Sequence, residues 1–211
     1  MKTKMVRLLA MVMVMAVAGW AQDTSALHPP AGSRLALVVF EDLECPACAS
    51  ADPLLLQAER AYGIPLVRHD FILPQHHWSK EAHIIARYLD TQSAQLGEQF
   101  RQYIFANQSA IYKANLRSWA DKFAAAHHTA LPAFYDPAGA LKAKVEADTA
   151  LGVGTGVKHT PTIWVVSDSK QMPFVEVPEN SKLFETIEKV KSALPAAPVK
   201  VAEKKTVTKK K

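Results

Sequence analysis

The sequence predicts an α/β domain in which a strand–helix–strand unit, a helical block and a strand–strand–helix unit follow one another. Three features carry that expectation. Leu35-Ala36-Leu37-Val38-Val39-Phe40 and Thr162-Ile163-Trp164-Val165-Val166 are short unbroken apolar runs, as expected of strands covered on both faces. Between them, from Ser79 to His128, apolar residues recur at helical rather than alternating spacing. The body from Asp23 to about Ala193 is long enough for one domain with its own core, and it shows no internal repeat.

The first strand runs into Cys45 and Cys48, the only two cysteines of the chain. A helix through Tyr62 follows, carrying Leu54, Leu55, Leu56 and Ala58. Pro53 removes one backbone donor and should kink it, and Gly63 ends it. Ile64 to Phe71 reads as a second strand, which completes a βαβ unit. In the helical block, Leu96, Phe100 and Tyr103 form one apolar stripe, and Tyr112, Leu116, Trp119 and Phe123 form another. Both read as packed core rather than as a cofactor site. A further helix carries Leu141 and Val145, but Asp148 falls where the next apolar residue of that face is expected. The third strand is Thr162 to Val166. Met172 to Val177 reads as an edge strand, because Pro173 and Pro178 limit its pairing. Leu183, Ile187, Val190 and Leu194 mark a last helix. The chain thus divides into 22–78 with the cysteines, a helical insertion at 79–140, and a second α/β segment at 141–194.

The ends differ from this body. Lys2, Lys4 and Arg7 precede an apolar run from Leu8 to Gly19, and small residues then stand at cleavage-compatible spacing. Residues 1–21 therefore read as a cleaved secretory signal peptide. The run is short for a membrane span, which needs roughly 20 apolar residues. The protein is expected to be exported, periplasmic or beyond, where disulfides persist. Residues 195–211 are mostly Pro, Ala, Val and Lys and read as a disordered tail. The net charge of +5 belongs to these basic ends, and the body between them is net acidic. The high pI is therefore no argument for nucleic-acid binding.

Cys45-Pro46-Ala47-Cys48 admits three readings. A structural disulfide across two residues closes a very short loop and stabilises little. A zinc site would need two histidine ligands, and His76-His77 and His127-His128 are adjacent pairs, not pairs spaced along one helix face. A redox pair fits best. Cys45 would stand at the start of a helix with Pro46 at its first position, where the helix dipole favours a thiolate. Cys48, one turn further in, would resolve a mixed disulfide.

Phe40-Glu41-Asp42-Leu43-Glu44-Cys45-Pro46-Ala47-Cys48 resembles the active-site segment of DsbA-like thioredoxin-fold proteins, and Pro53 resembles the proline of their active-site helix. Gly156-Val157-Lys158-His159-Thr160-Pro161-Thr162-Ile163-Trp164-Val165 resembles the same family's loop before a central strand. The resemblance covers Leu35 to Leu194 and implies a thioredoxin fold interrupted by a helical domain. It implies Cys45 as nucleophile, Cys48 as resolving thiol, and a cis bond at Thr160-Pro161 beside which an extended substrate segment pairs. Two departures lower the expected oxidising power. Val39 stands where many relatives carry an acid six residues before the first cysteine, with Glu41 as a substitute proton relay. Pro46-Ala47 also lacks the histidine of strong oxidases. Glu41, Asp42 and Glu44 should oppose a Cys45 thiolate, and His159 could partly replace the missing cation.

The implied activity is that of an exported thiol–disulfide oxidoreductase introducing disulfides into secreted proteins. A reductase or isomerase, or a non-catalytic peptide-binding chaperone, are the alternatives. Protein thiols and disulfides are the expected substrates, with a membrane redox partner, a monomeric state, no cofactor, no metal and no nucleic acid. Two lesser signals are discounted: Gly152-Val153-Gly154-Thr155-Gly156 leads from a helix into a strand, the reverse of a dinucleotide site, and Asn107-Gln108-Ser109 is a triplet common by chance.

Overall fold

The computed structural model describes residues 22–195, so the signal peptide and nearly all of the proposed tail lie outside the described residues. Strand β1 (Leu35–Glu41) is followed by helix α1 (Pro46–Tyr62), β2 (Leu66–Asp70), α2 (Ser79–Gln92), α3 (Ala94–Asn107), α4 (Leu116–Ala126), α5 (Ala140–Thr155), β3 (Thr162–Ser167), β4 (Phe174–Glu176) and α6 (Leu183–Ser192). Short 3₁₀ turns at Gln108–Ala110 and Asn180–Lys182 complete the set. The sheet order is β2-β1-β3-β4. β1 pairs parallel with β2 and antiparallel with β3, and β4 pairs antiparallel at the edge.

β1 is central and all seven of its residues are buried. Its alternating side chains serve two cores. Leu35, Leu37 and Val39 pack with Ala51, Leu55 and Ala58 of α1 and with Ile187 and Val190 of α6. Ala36, Val38 and Phe40 pack on the other face with Phe71, Val157 and Trp164. A third cluster, built from Ile85, Leu89, Phe100, Ile104, Leu116 and Phe123 of the inserted helices, also takes in Leu43, Cys45 and Cys48. The two cysteines are therefore packed by the insertion as well as by the sheet.

α1 runs unbroken past Pro53 and ends at Gly63, whose φ of 61° is left-handed. That conformation strains any residue with a Cβ. Three sequence expectations change. Tyr112 is not part of a helical stripe. It lies before α4, its N–H donates to Asn115 Oδ1, and it is 61% exposed. The glycine-rich segment does not follow a helix; Gly152 to Thr155 form the last turn of α5, and Gly156 caps it. Asp148 is no lapse in the apolar face of α5. Its carboxylate accepts from the backbone of Asp70, approaches His69 and pairs with Arg87.

One turn further along that face, Gly152 lies against the second core. A Cβ placed there would stand 2.5 Å from Phe71 and 2.8 Å from Phe40. Glycine is needed for this close approach of helix to sheet, not for its backbone angles. Gly152→Ala gains about 1 kcal/mol of helix propensity, yet it forces both aromatic rings to move, and overpacking costs about 1–3 kcal/mol. A net loss of about 1 kcal/mol is expected, read as a lower denaturant midpoint at unchanged slope.

Candidate active site

The chain leaves β1 at Glu41 and enters α1 at Pro46 through a tight turn. Cys45 is the N-cap of α1, extended at φ −83° and ψ 118°, with Pro46 at the first helical position and no acid in the first turn. Its sulfur occupies the place where a serine or aspartate oxygen would cap the helix. Both cysteines are free thiols. Cys45 is 6% exposed and Cys48 2%, so the outer sulfur is nearer the surface but less open than the sequence suggests.

The loop before β3 closes the other side. Thr160-Pro161 is cis, and the Cys45 thiol donates to the Thr160 carbonyl at 3.4 Å. The Thr160 side chain faces the Cys45 sulfur, and its buried Oγ1 has no oxygen or nitrogen partner among the described residues. His159 precedes Thr160 in the same loop. Its Nδ1 lies 3.2 Å from the Pro161 carbonyl, on the exposed side of its own loop.

The electrostatics differ from the sequence expectation. The Cys45 thiol is lowered to about 5. The Cys48 thiol that donates to it is the largest cause; burial opposes the shift, and the Thr160 hydroxyl and the N–H groups of Cys48 and Ala47 add to it. Pro46-Ala47 therefore needs no side-chain donor, because the Cys48 thiol bonds the sulfur and the Thr160 hydroxyl and the N–H groups of Cys48 and Ala47 add to its effect. Cys48 is pushed far up, by burial first, then by its hydrogen bond to Cys45 and the charge of Glu41. Its sulfur accepts from the N–H of Asp42 at 3.5 Å. One thiol is thus acidic and its neighbour holds its proton.

The three nearby acids are occupied elsewhere. The Glu44 carboxylate accepts from the N–H groups of Trp78 and Ser79, and so caps α2. Asp42 accepts from the N–H groups of Glu44 and Leu73, and His76 Nδ1 stands 2.8 Å from it. Glu41 is paired with Arg68 at 2.7 Å. Arg68 also binds Asp52 of α1 at 2.6 Å and Glu98 of α3 at 2.8 Å. Burial raises Glu41 and Asp52 despite Arg68. Glu98, although burial also acts to raise it, is held low by Arg68 and Gln102.

Sequence reasoning missed Asp52, Arg68, Glu98, His83, Asp70 and Gln108. Two signals were present. Arg68-His69-Asp70 places three polar residues in succession in a strand, and Asp52 stands one helical turn beyond Cys48 on the same face of α1.

Three outcomes test this geometry. The pH dependence of alkylation should give a midpoint near 5 for Cys45, with Cys48 unreactive to alkaline pH. Because the thiol is lowered, its contribution to the reduced form is complete above its ordinary value and disappears as pH falls through about 5. Reduced protein should therefore lose stability relative to oxidised protein between neutrality and pH 4, measured by denaturant unfolding of both forms. Arg68→Met leaves buried acids unpaired and should cost about 3–5 kcal/mol. Part of that loss should be recovered as pH falls and Glu41 and Asp52 protonate.

A model of the Thioredoxin family matches residues 31–174, more than half of the chain. No curated protein matches by sequence. Among solved structures, oxidised BdbD from Bacillus subtilis is 16% identical, with 80% of this chain and 94% of that one covered at a TM-score of 0.63. The thiol-disulfide exchange protein alpha-DsbA2 from Wolbachia pipientis is 13% identical, with 77% and 85% covered at 0.60. The catalytic domain of Proteus mirabilis ScsC is 15% identical, with 78% and 89% covered at 0.59. The shared architecture is a four-stranded thioredoxin sheet with helices inserted after β2. The chain belongs to the thioredoxin family, and its fold is similar to that of DsbA-type proteins.

Proposed function

We propose that the protein is an exported thiol–disulfide oxidoreductase that introduces disulfides into secreted proteins. The observation that carries this is the pairing of an acidic Cys45 thiol with a proton-retaining Cys48 at the start of α1, beside the Thr160–Pro161 loop. The likeness to a thiol-disulfide exchange protein supports it.

In the proposed cycle a client thiolate attacks Cys45 Sγ of the Cys45–Cys48 disulfide. A client–Cys45 bond forms, and Cys48 leaves and takes up a proton. A second client thiolate then attacks the client sulfur of the mixed disulfide. The client disulfide forms, Cys45 leaves as a thiolate, and the protein keeps the two electrons that the client lost. Thr160 and Pro161 supply the backbone edge along which an extended client segment lies. A membrane redox partner removes the electrons and restores the Cys45–Cys48 disulfide.

The leaving group supports the oxidising direction. At pH 7 a thiol lowered to about 5 stabilises the reduced form by two pKa units, or about 2.7 kcal/mol. That makes the pair about 60 mV more oxidising than one with ordinary thiols. The expectation from Pro46-Ala47 and the nearby acids, a weakly acidic Cys45, is reversed first by the Cys48 thiol, with the Thr160 hydroxyl and the N–H groups of Cys48 and Ala47 adding to it, while Glu41, Asp42 and Glu44 are engaged elsewhere.

The reduction potential of the Cys45–Cys48 pair, measured in graded glutathione buffers with alkylation trapping, should lie near or above about −150 mV. A value below about −230 mV would assign the protein to reduction of disulfides instead. Cys48→Ala should accumulate covalent client complexes through Cys45, and Cys45→Ser should form none. A peptide-binding chaperone would keep its function in Cys45→Ser.

A further inference from the structure

The turn that presents Cys45 is gripped from the helical insertion. Leu43, two residues before Cys45, donates its N–H to His83 Nε2 of α2 at 3.0 Å. Its carbonyl accepts from Gln108 Nε2, just after α3, at 2.9 Å. The Leu43 side chain is itself fully buried in the core of the insertion. Both peptide units around Leu43 are thus bound by side chains from outside the turn.

His83 is fully buried, and its hydrogen bonds fix its tautomer. Nε2 accepts an amide proton, so the ring proton sits on Nδ1 and is donated to Asp70 Oδ1 at 2.7 Å. Asp70 is anchored in turn by Arg87. The peptide whose N–H goes to His83 has the Asp42 carbonyl at its other end, and that carbonyl accepts the N–H of Cys45 at 3.0 Å. A continuous hydrogen-bonded path therefore runs from the Asp70 carboxylate, through the His83 ring and the Asp42–Leu43 peptide, to the backbone of Cys45. Such chains polarise one another and fix the dipoles along them. The Leu43–Glu44 peptide is held likewise: Gln108 donates to its carbonyl, and its N–H goes to Asp42 Oδ1 at 2.8 Å.

We propose that His83 and Gln108 are positioning residues for Cys45, by which the helical insertion sets where α1 begins and so sets the reactivity of the sulfur. This rests on the thiol-exchange reading above. Neither side chain touches the sulfur. Each fixes a peptide that in turn places Cys45 at the N-cap of α1, against the Cys48 thiol and beside the N–H groups of Cys48 and Ala47. A loosened turn lets the sulfur leave that position, and the stabilisation of its thiolate falls.

The test titrates Cys45 in the full-length reduced protein by ultraviolet thiolate absorbance and by alkylation rate, alongside the glutathione equilibrium. His83→Phe keeps a buried ring without an acceptor, and Gln108→Met keeps the length without a donor. Each should raise the Cys45 midpoint by about one unit and make the glutathione equilibrium about tenfold less oxidising, about 30 mV. His83→Gln, which keeps an acceptor for Leu43, should recover part of the shift. Folded variants whose stability falls while the midpoint and equilibrium stay at their original values would overturn the proposal. Gln108 is only partly buried, so its variant decides the matter even if His83→Phe does not fold. A parent protein with an ordinary Cys45 thiol, or none that exchanges with glutathione, would overturn the functional reading and this inference with it. A parent with an acidic, exchanging thiol and unresponsive variants would overturn the inference alone.

Discussion

Between Glu41 and Pro46 the chain has to leave a fully buried central strand and enter a helix within four residues, and almost no water reaches the turn to satisfy its backbone. A buried N–H or carbonyl without a partner costs about 1–3 kcal/mol, so the turn can form only where every group is met. Asp42 gives its N–H to Cys48 and its carbonyl to the N–H of Cys45. Leu43 gives its two groups to His83 and Gln108. Glu44 gives its N–H to Asp42 and its carboxylate to the start of α2. The insertion is thus part of the active-site turn, not an appendage to it, and this explains why the cysteines share a hydrophobic cluster with its helices.

The satisfied turn produces the chemistry by leaving something unsatisfied next to it. The first N–H groups of a helix have no intrahelical partner. Ordinarily a Ser, Thr, Asp or Asn at the N-cap takes one of them. Here that position is Cys45, and the Cys48 thiol first, then the Thr160 hydroxyl and the N–H groups of Cys48 and Ala47, favour negative charge on a single sulfur. Cys48 lies deeper, nearer the Glu41 charge, and is driven the other way. Two identical side chains one turn apart acquire opposite tendencies from position alone, the separation that an exchange reaction with an entering and a leaving thiol needs.

Beneath this pair, Arg68 gathers carboxylates from three elements: Glu41 from β1, Asp52 from α1 and Glu98 from α3. Arginine suits this role because its planar fork binds several carboxylate oxygens at once and stays charged when buried. The cluster joins sheet, active-site helix and insertion at one point. It also accounts for polar residues on a strand that otherwise reads as core. Asp70, Arg87 and Asp148 do the same at the far end of β2, where α5 meets α2.

The sequence by itself determined the order of strands and helices and the placing of two cysteines, one turn apart, at the start of a helix. Unbroken apolar runs, helical stripes and the spacing of Cys45 and Cys48 are local patterns, and local patterns survive without coordinates. The Thr160-Pro161 loop was legible for the same reason, as a short motif leading into β3. Tertiary structure decided what depends on residues distant in the chain. Whether Glu41, Asp42 and Glu44 oppose the Cys45 thiolate turns on where their carboxylates are engaged, and the partners are Arg68, Leu73 and the backbone of Trp78 and Ser79. His83 and Gln108 carry no local signal, because their role is to meet the backbone of Leu43 from 40 and 65 residues away. Asp148 looked like a defect in a helical face, and Gly152 like part of a segment beyond the helix, until β2, Phe40 and Phe71 were placed against them. Hydrogen bonding and charge act over a few ångströms, and only the folded chain fixes which groups lie within that distance.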